Sequence, residues 1–450
     1  MTTRQTAVWS AALMMALAAA RPAHAQAPLV LTLEEAVERG KAEAPRLGEA
    51  RARIAAADAA TGARESLKQP TASASGGYLR TNHVPEFGVP AAGGGTRIIF
   101  PDIPDNYRVR AEMNVPLYTS GRLDALVESA EADRRAADAD RRTTEADVAF
   151  ETARAYWLLA LARADVGVLE QALQRADAQV ADVRSRVDAG VLPPNDLLSS
   201  QAQRARQNVR LIQVRNAAAF AEAELGRLVG AAPGQAIALA TPVDQPTPFQ
   251  ARGAAASFDL AALVALATAQ RAERDAIASR QAALNATGEA ALAATRPQIG
   301  ALAAVEPARP NSRFVPRANQ WHASWDLGVS LNWSFFDAGR ARAERASVIA
   351  QADALGYRLK EFDQVLQLDI RQRLLDFESH QAALAASGEA VTAAAEARRV
   401  IEQRFAAGVA TSTDVLDAQL DLVEAEVERS RLQVQLRLDE ARLIRALGGK

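Results

Sequence analysis

Trp325-Asp326-Leu327-Gly328-Val329-Ser330-Leu331-Asn332-Trp333-Ser334-Phe335 alternates apolar and polar residues over eleven positions. A period of two puts every apolar side chain on one face of a strand. Tyr107-Arg108-Val109-Arg110-Ala111-Glu112-Met113-Asn114-Val115 alternates in the same way, with mostly charged residues in the polar phase. Strands of about 9–11 residues with one apolar and one polar face are the pattern of transmembrane β-strands. The alternation alone also fits a soluble sheet with one buried face. Aromatics at the strand ends (Tyr107, Tyr118, Trp321, Trp333, Phe335 and Phe336) favour the membrane, where such rings sit at the interfaces. On this reading Trp325, Leu327, Val329 and Leu331 face lipid. Arg108, Arg110 and Glu112 face a lumen, where they tune passage or pair with one another as a polar wall. Weaker partner strands begin after Pro70 and Pro297, over 71–78 and 298–305.

The chain says the same thing twice. Gly121–Arg122, Gly190–Val191, Asp196, Arg227 and Gly230 recur 218 residues later as Gly339–Arg340, Gly408–Val409, Asp414, Arg445 and Gly448. Upstream, Leu33, Val37, Ala42, Arg53 and Pro70 recur at a spacing of 227, as Leu260, Val264, Ala269, Arg280 and Pro297. A nine-residue difference in loop length between about 80 and 107 accounts for the change of spacing. A unit of this size makes a pseudo-symmetric object, not a short-period solenoid.

Each copy reads as helix, strand, hairpin loop, strand, very long helix, tip, return helix. Repeat 1 is expected over 26–230, with strands at about 70–80 and 107–118, a long helix over 119–189 and a return helix over 195–230. A linker follows over 231–257. Repeat 2 is expected over 258–450, with strands at about 297–306 and 322–336, a long helix over 338–407 and a return helix over 412–447. The first helix runs from Leu33 to Gln69 with a kink at Pro45, and Pro70 stops it. Leu169, Leu173, Ala176, Val180, Val183 and Val187 step by 4 and 3, a heptad seam. Leu198, Ala202, Ala205, Val209 and Ile212 read as the matching seam of the return helix. Gly190 ends the long helix, and Pro193-Pro194-Asn195-Asp196 makes the turn. A helix of roughly 70 residues is about 100 Å long, beyond any ordinary globular core. The loop over 81–106, with Gly93-Gly94-Gly95, reads as an exposed hairpin loop, and 307–320 as its equivalent.

Residues 1–25 read as a secretory signal peptide: Arg4, an apolar run from Ala7 to Ala20, and Ala23-His24-Ala25 as the cleavage site. Cleavage would leave Gln26 first and 50 basic against 54 acidic residues, a net charge of −4. That balance argues against a nucleic-acid partner. With no cysteine there is no disulfide, thiolate metal site or cysteine nucleophile. No later segment is apolar for the ~18 residues that a membrane helix needs.

Four strands cannot close a barrel, and open edges in lipid leave backbone groups unsatisfied. The smallest membrane barrels have about eight strands, so the chain must oligomerise; two copies give eight strands and three give twelve, and three best suit a water-filled lumen.

Over essentially the whole mature chain this layout resembles the TolC family of outer-membrane efflux and secretion channels. The most specific match is Gly408-Val409-Ala410-Thr411-Ser412-Thr413-Asp414-Val415-Leu416-Asp417-Ala418-Gln419, which is similar to the family's second hairpin tip. Gly190 to Gln201 is the degenerate first tip, with Ser199 where Asp417 stands. The corners 115–122 and 334–340 also match. The resemblance implies a fold that is mainly α with a small β part. Three chains would close a 12-stranded outer-membrane barrel, continued by a long α-helical barrel across the periplasm. It implies partners: two further copies of the chain, outer-membrane lipid, a periplasmic adaptor protein, and an inner-membrane pump of RND or ABC type.

It also implies that Asp414 and Asp417 form acidic rings at the closed helical tips, with Asp196 and Phe405 at the same aperture. Crowding of like charges there would raise their pKa values. Both aspartates equally fit a first helical turn, where the helix dipole favours acidic residues. Gly190, Val191, Gly408 and Val409 are candidate adaptor contacts, and the glycines also fit simple helix caps. Where some family members hold the tip with a tyrosine and an arginine, this chain has Phe405 and Ala410.

His83, His322 and His380 stand at no metal-ligand spacing, and no nucleophile elbow or nucleotide-binding motif occurs. No enzymatic activity, cofactor or metal is expected. The function expected is passive export in a tripartite efflux pump. A type I protein-secretion duct is the alternative, and a periplasmic coiled-coil scaffold without a pore is the reading of another class.

Overall fold

A computed structural model describes residues 27–245 and 259–449. The signal-peptide reading of 1–25 and the end of the linker lie outside the described residues. The elements are β1 (Leu29–Leu31), α1 (Leu33–Glu43), α2 (Pro45–Ser66), β2 (Thr71–Arg80), β3 (Phe87–Pro90), β4 (Thr96–Phe100), β5 (Asp105–Tyr118), α3 (Arg122–Asp188), α4 (Pro194–Leu228), β6 (Ile237–Leu239), α5 (Leu260–Gln270), α6 (Ala272–Ala293), β7 (Gln298–Arg309), β8 (His322–Asn332), α7 (Arg340–Ala406) and α8 (Ser412–Ala446). The repeat is visible in helix lengths. α1 and α5 have 11 residues, α2 and α6 have 22, α3 and α7 have 67, and α4 and α8 have 35.

Several details differ from the sequence reading. Pro45 does not kink one helix; it opens a second, because Ala44 is extended (φ −68°, ψ 115°). Repeat 2 breaks the same way at Arg271 (φ −71°, ψ 113°) without a proline. The long loop after β2, expected as an exposed hairpin loop, also carries short strands of its own. It holds the β3–β4 hairpin, whose tip uses Gly93, Gly94 and Gly95 at positive φ. β8 stops at Asn332, so Trp333 to Phe336 follow the strand. The linker begins with β6, which pairs in parallel with β1.

The chain divides into two compact units. One comprises residues 49–142 and 272–363. Its sheet is antiparallel with order β2-β5-β7-β8, so β2 and β8 are its edges. The strand-to-helix corners match across the repeat: Ser120–Gly121 and Ala338–Gly339 all take positive φ. Ser120 Oγ donates to the Pro297 carbonyl at 2.5 Å, and Asp337 accepts from Gly339 N and Ala341 N at 2.9 and 2.8 Å.

The other unit comprises residues up to 48, 143–271 and 364 onward. Its core gathers on the β1–β6 pair, with Tyr156, Leu159, Leu225, Val434 and Leu438 buried around it. Tyr156 is wholly buried, and its hydroxyl is satisfied twice. It donates to Leu31 O at 3.2 Å and accepts from Thr241 N at 2.9 Å. Glu222 accepts from Ile237 N at 2.7 Å and from Arg163 at 3.1 Å. Arg437, buried, donates to Val243 O and Gln245 O and stacks over Trp157 at 5.4 Å. Asp439, 2% exposed, is held by His380, Gln435 and Arg442 at 2.5, 3.0 and 2.8 Å.

The expected α3 seam faces inward: Leu169, Ala176 and Val183 are buried. The α4 seam does not. Leu198, Val209 and Ile212 are 62%, 53% and 50% exposed. The inward face of α4 carries Ser200, Gln203, Gln207, Leu211 and Leu225 instead. Hydrophobic periodicity finds an apolar stripe but does not say which neighbour covers it.

In α3, Oδ1 of Asp165 is buried without a hydrogen-bond partner. Burial pushes this carboxyl up to about 6, against a weaker opposing pull from Arg431. The folded chain therefore keeps a proton that the unfolded chain releases between the usual 3.8 and about 6. The stability linked to that proton is complete below about pH 4 and lost as pH rises past about 6. Asp165→Asn should raise the melting temperature at about pH 7.5, and the gain should vanish below about pH 4. Equal melting temperatures for the two proteins at both pH values would contradict this.

Candidate functional site

The two helical tips are built by the same backbone device. Gly190 takes φ +74° and Gly408 φ +75°, a left-handed conformation that a side chain strains even though space is free around both. Gly190 N–H donates to Val187 O at 2.9 Å and Val191 N–H to Arg186 O at 2.8 Å. Gly408 N–H donates to Phe405 O at 3.0 Å and Val409 N–H to Arg404 O at 2.9 Å. Both are Schellman motifs, which satisfy the last carbonyls of α3 and α7. The two glycines are therefore helix caps. Val191 and Val409 beside them are 68% and 64% exposed, apolar side chains presented at the turns.

The return helices start differently. In repeat 2, Thr411 and Asp414 form a capping box: Asp414 N–H donates to Thr411 Oγ1 at 3.2 Å, and Thr411 N–H to Asp414 Oδ2 at 2.7 Å. In repeat 1 the Thr411 position is Pro193, which makes no side-chain cap. Asp196 is half-buried at the third helical position, with its N–H on Pro193 O at 3.1 Å. The box bears on the expected ionisation. The Thr411 backbone and hydroxyl donors hold the exposed Asp414 carboxyl below its usual range. Within one chain the direction is thus opposite to the upward shift expected of a crowded ring. Asp417 is exposed one turn on. It lines, with Gln203, Arg206, Arg210 and Leu416, a groove of about 450 Å³ between α4 and α8.

Phe405 is not exposed at an aperture. It is 5% exposed and packs with Val183 of α3 and Val415 of α8. Arg186 lies over its ring at 4.7 Å, donates to Phe405 O at 3.3 Å, and pairs with Asp182 at 3.0 Å. The tip of repeat 1 is thereby fastened to that of repeat 2. Sequence reading missed Arg186; its one trace was the i,i+4 spacing from Asp182.

In the sheet, register sorts the residues onto two faces. One cross-strand row reads Ala72, Met113, Ala303, Leu327, and the next reads Ala74, Ala111, Val305, Trp325. Val329 and Leu331 continue this apolar face, opposite Ala301 and Ile299. Trp325, Leu327 and Val329 are each more than 70% exposed in the single chain. Tyr78, Tyr107 and Trp321 pack as tilted rings at one end of it, with centroids 5.0 and 6.1 Å apart.

The opposite face is polar. Arg110 is its hub, 3.0 Å from Glu112, 3.1 Å from Glu306 and 3.5 Å from Asp326, joining three strands. Arg108 lies 3.5 Å from Glu306, and Arg313 pairs with Asp326. Three cations thus meet three carboxylates. Glu306, Asp326 and Arg313 were missed in the sequence, although Asp326 stands in the polar phase of the quoted strand. No group of residues able to hold a metal ion occurs among the described residues.

The sequence model of the outer membrane efflux protein family matches residues 36–231 and 263–449, one match in each repeat. The chain belongs to the outer membrane efflux protein family. No curated protein matches it in sequence. Solved structures share the fold of this family member. The outer-membrane channel OprN superposes with a TM-score of 0.77 at 21% identity, over 93% of this chain and 90% of that one. CusC, studied for folding and transmembrane channel formation, gives 0.77 at 17%, over 93% and 92%. The outer membrane protein VceC of Vibrio cholerae gives 0.76 at 20%, over 93% and 96%.

The capping box generates a direct test. Thr411→Ala should speed amide exchange at Asp414 and Val415 by about fivefold, the scale of one lost helix cap. It should also move the Asp414 carboxyl titration upward. Unchanged exchange and titration would remove the box from the account.

Proposed function

We propose that the chain is the outer-membrane channel-tunnel of a tripartite efflux pump and that it exports small molecules passively. The observation that carries this is the four-stranded sheet with one exposed apolar face, one ion-paired polar face and two open edges. Three copies close those edges into a 12-stranded barrel, lipid outside and the Arg110 network toward the lumen. The long helices continue the duct through the periplasm, and residues 1–25 are the cleaved export signal. No helix is long and apolar enough to cross a membrane among the described residues, so insertion falls to the sheet.

Energy comes from an inner-membrane pump of RND or ABC type, joined through a periplasmic adaptor protein. The exposed Val191 and Val409 at the capped turns are the adaptor contacts. Asp414 and Asp417, on one helix face, bring six carboxylates toward the axis of a trimer and favour cations. Asp196 of repeat 1 adds a further acid near the same level. Phe405 acts from within the tip core, setting how α3 and α7 meet. The family's name favours efflux over protein secretion.

Planar-bilayer recording of the mature protein tests the reading, with discrete cation-preferring openings expected. Asp417→Asn leaves the Thr411–Asp414 box intact, and it should lower cation selectivity and weaken block by multivalent cations. A protein that never conducts would overturn the duct. Unchanged selectivity in the variant would remove the ring.

A further inference from the structure

The apolar face of the sheet ends in arginine. In β2 its phase runs Ala72, Ala74, Gly76, Tyr78 and then Arg80, and in β7 it runs Val305, Pro307 and then Arg309, opposite Tyr107. This is the end of the sheet away from the helices, because α2 leads into Thr71 and Tyr118 leads into α3. A cation on a lipid-facing strand is costly at the bilayer midplane and nearly free at the interface. Arg80 and Arg309 therefore mark the outer margin of the hydrocarbon.

Charge is balanced on the polar face and not at this rim. Arg108, Arg110 and Arg313 on the polar face all reach carboxylates. At the rim, Arg80 pairs with Asp105 at 3.2 Å, and His83 lies 2.6 Å from Asp102. Arg97, on β4, offsets Glu86 in charge without pairing with it. That leaves Arg309 and Arg317, which pair with no carboxylate among the described residues.

Both lie over aromatic rings. Arg309 Nε donates to Asn319 Oδ1 at 2.8 Å, and its guanidinium is 5.9 Å from the centroid of Tyr107. Arg317, exposed in the β7–β8 loop, donates its backbone N–H to Ile99 O at 3.3 Å, and its guanidinium is 5.7 Å from the centroid of Phe100. Among the described residues the terminal nitrogens of Arg309 and the whole guanidinium of Arg317 donate to nothing. A guanidinium laid on a ring keeps its edge donors for a second partner, and that planar fork fits a phosphate. The rings also fix the two side chains beforehand, which lowers the ordering cost of binding. Trp321 beside Tyr107 carries the aromatic surface on to the exposed face of Trp325 and Leu327, where acyl chains would lie.

We infer that Arg309 and Arg317 bind the phosphate of an outer-leaflet lipid headgroup, with Tyr107, Trp321 and Phe100 at the boundary between headgroup and acyl chains. The site rests on the barrel proposed above, which sets the Arg309 end outward, and it names the class of lipid held there.

To test this, the purified oligomer in uncharged detergent is titrated with diphosphoryl lipid A, and bound lipid is counted by native mass spectrometry. A diacylglycerol serves as the phosphate-free probe. Saturable binding of the phosphorylated lipid is expected. Arg309→Gln should weaken it about fivefold, the scale of one cation at a lipid surface, and Arg309→Gln with Arg317→Gln roughly 25-fold. Unchanged affinity in the double variant, at unchanged oligomer size, would overturn the site alone. Equal weakening by Arg108→Gln, on the polar face, would also overturn it, because the attraction would then be diffuse. Equally tight binding of the diacylglycerol would remove the phosphate from the account, and displacement of the lipid by inorganic phosphate at equal concentration would remove the lipid. Failure of the unsubstituted chain to form a ring-sized oligomer would instead overturn the reading on which the site rests.

Discussion

The rest of the structure depends on two unpaired strand edges. The sheet order β2-β5-β7-β8 leaves β2 and β8 each with one row of unpaired backbone donors and acceptors. In water such edges are a hazard; in hydrocarbon each unsatisfied group costs several kcal/mol. One face of the sheet is apolar from Ala72 to Leu327, so the sheet suits hydrocarbon and a single copy cannot stay there. Pairing β8 of one copy with β2 of the next removes every edge only if the ring closes. The same rotation then decides which helical faces meet.

Duplication makes this economical. The two halves share helix lengths, corner geometry and glycine caps, so one solution to the strand-to-helix turn serves twice. The halves diverge where the chain must distinguish them. Thr411 caps α8 but Pro193 replaces it at α4, and β3–β4 is added to one hairpin loop only. At the tips, Phe405 under Arg186 fastens one repeat to the other by burial instead of by an exposed polar latch. Any opening of the tips must therefore disturb a packed core, which favours two discrete states over gradual movement.

Much of this was legible in the sequence for identifiable reasons. Period-two alternation placed Arg110 and Leu327 on opposite faces, because a strand has only two. The repeat located both tips, because glycine at +74° and +75° φ has no good substitute. What escaped was tertiary. The α4 stripe is a true heptad, yet it faces outward, since periodicity is blind to the identity of the partner. Phe405 was expected to pack at the tip, but its partner Val183, more than 200 positions away, was not visible. The β1–β6 pair is three residues per strand, too short for any pattern to show. Asp414 read equally as a ring charge and as a first-turn residue, and the capping box with Thr411 became evident only in the geometry.

The most direct measurement is native mass spectrometry of the mature chain released from detergent micelles, because chain count follows immediately from edge closure. Three chains per particle, with no smaller species in the membrane-inserted fraction, is the predicted result. A membrane-inserted particle of one or two chains would contradict the account.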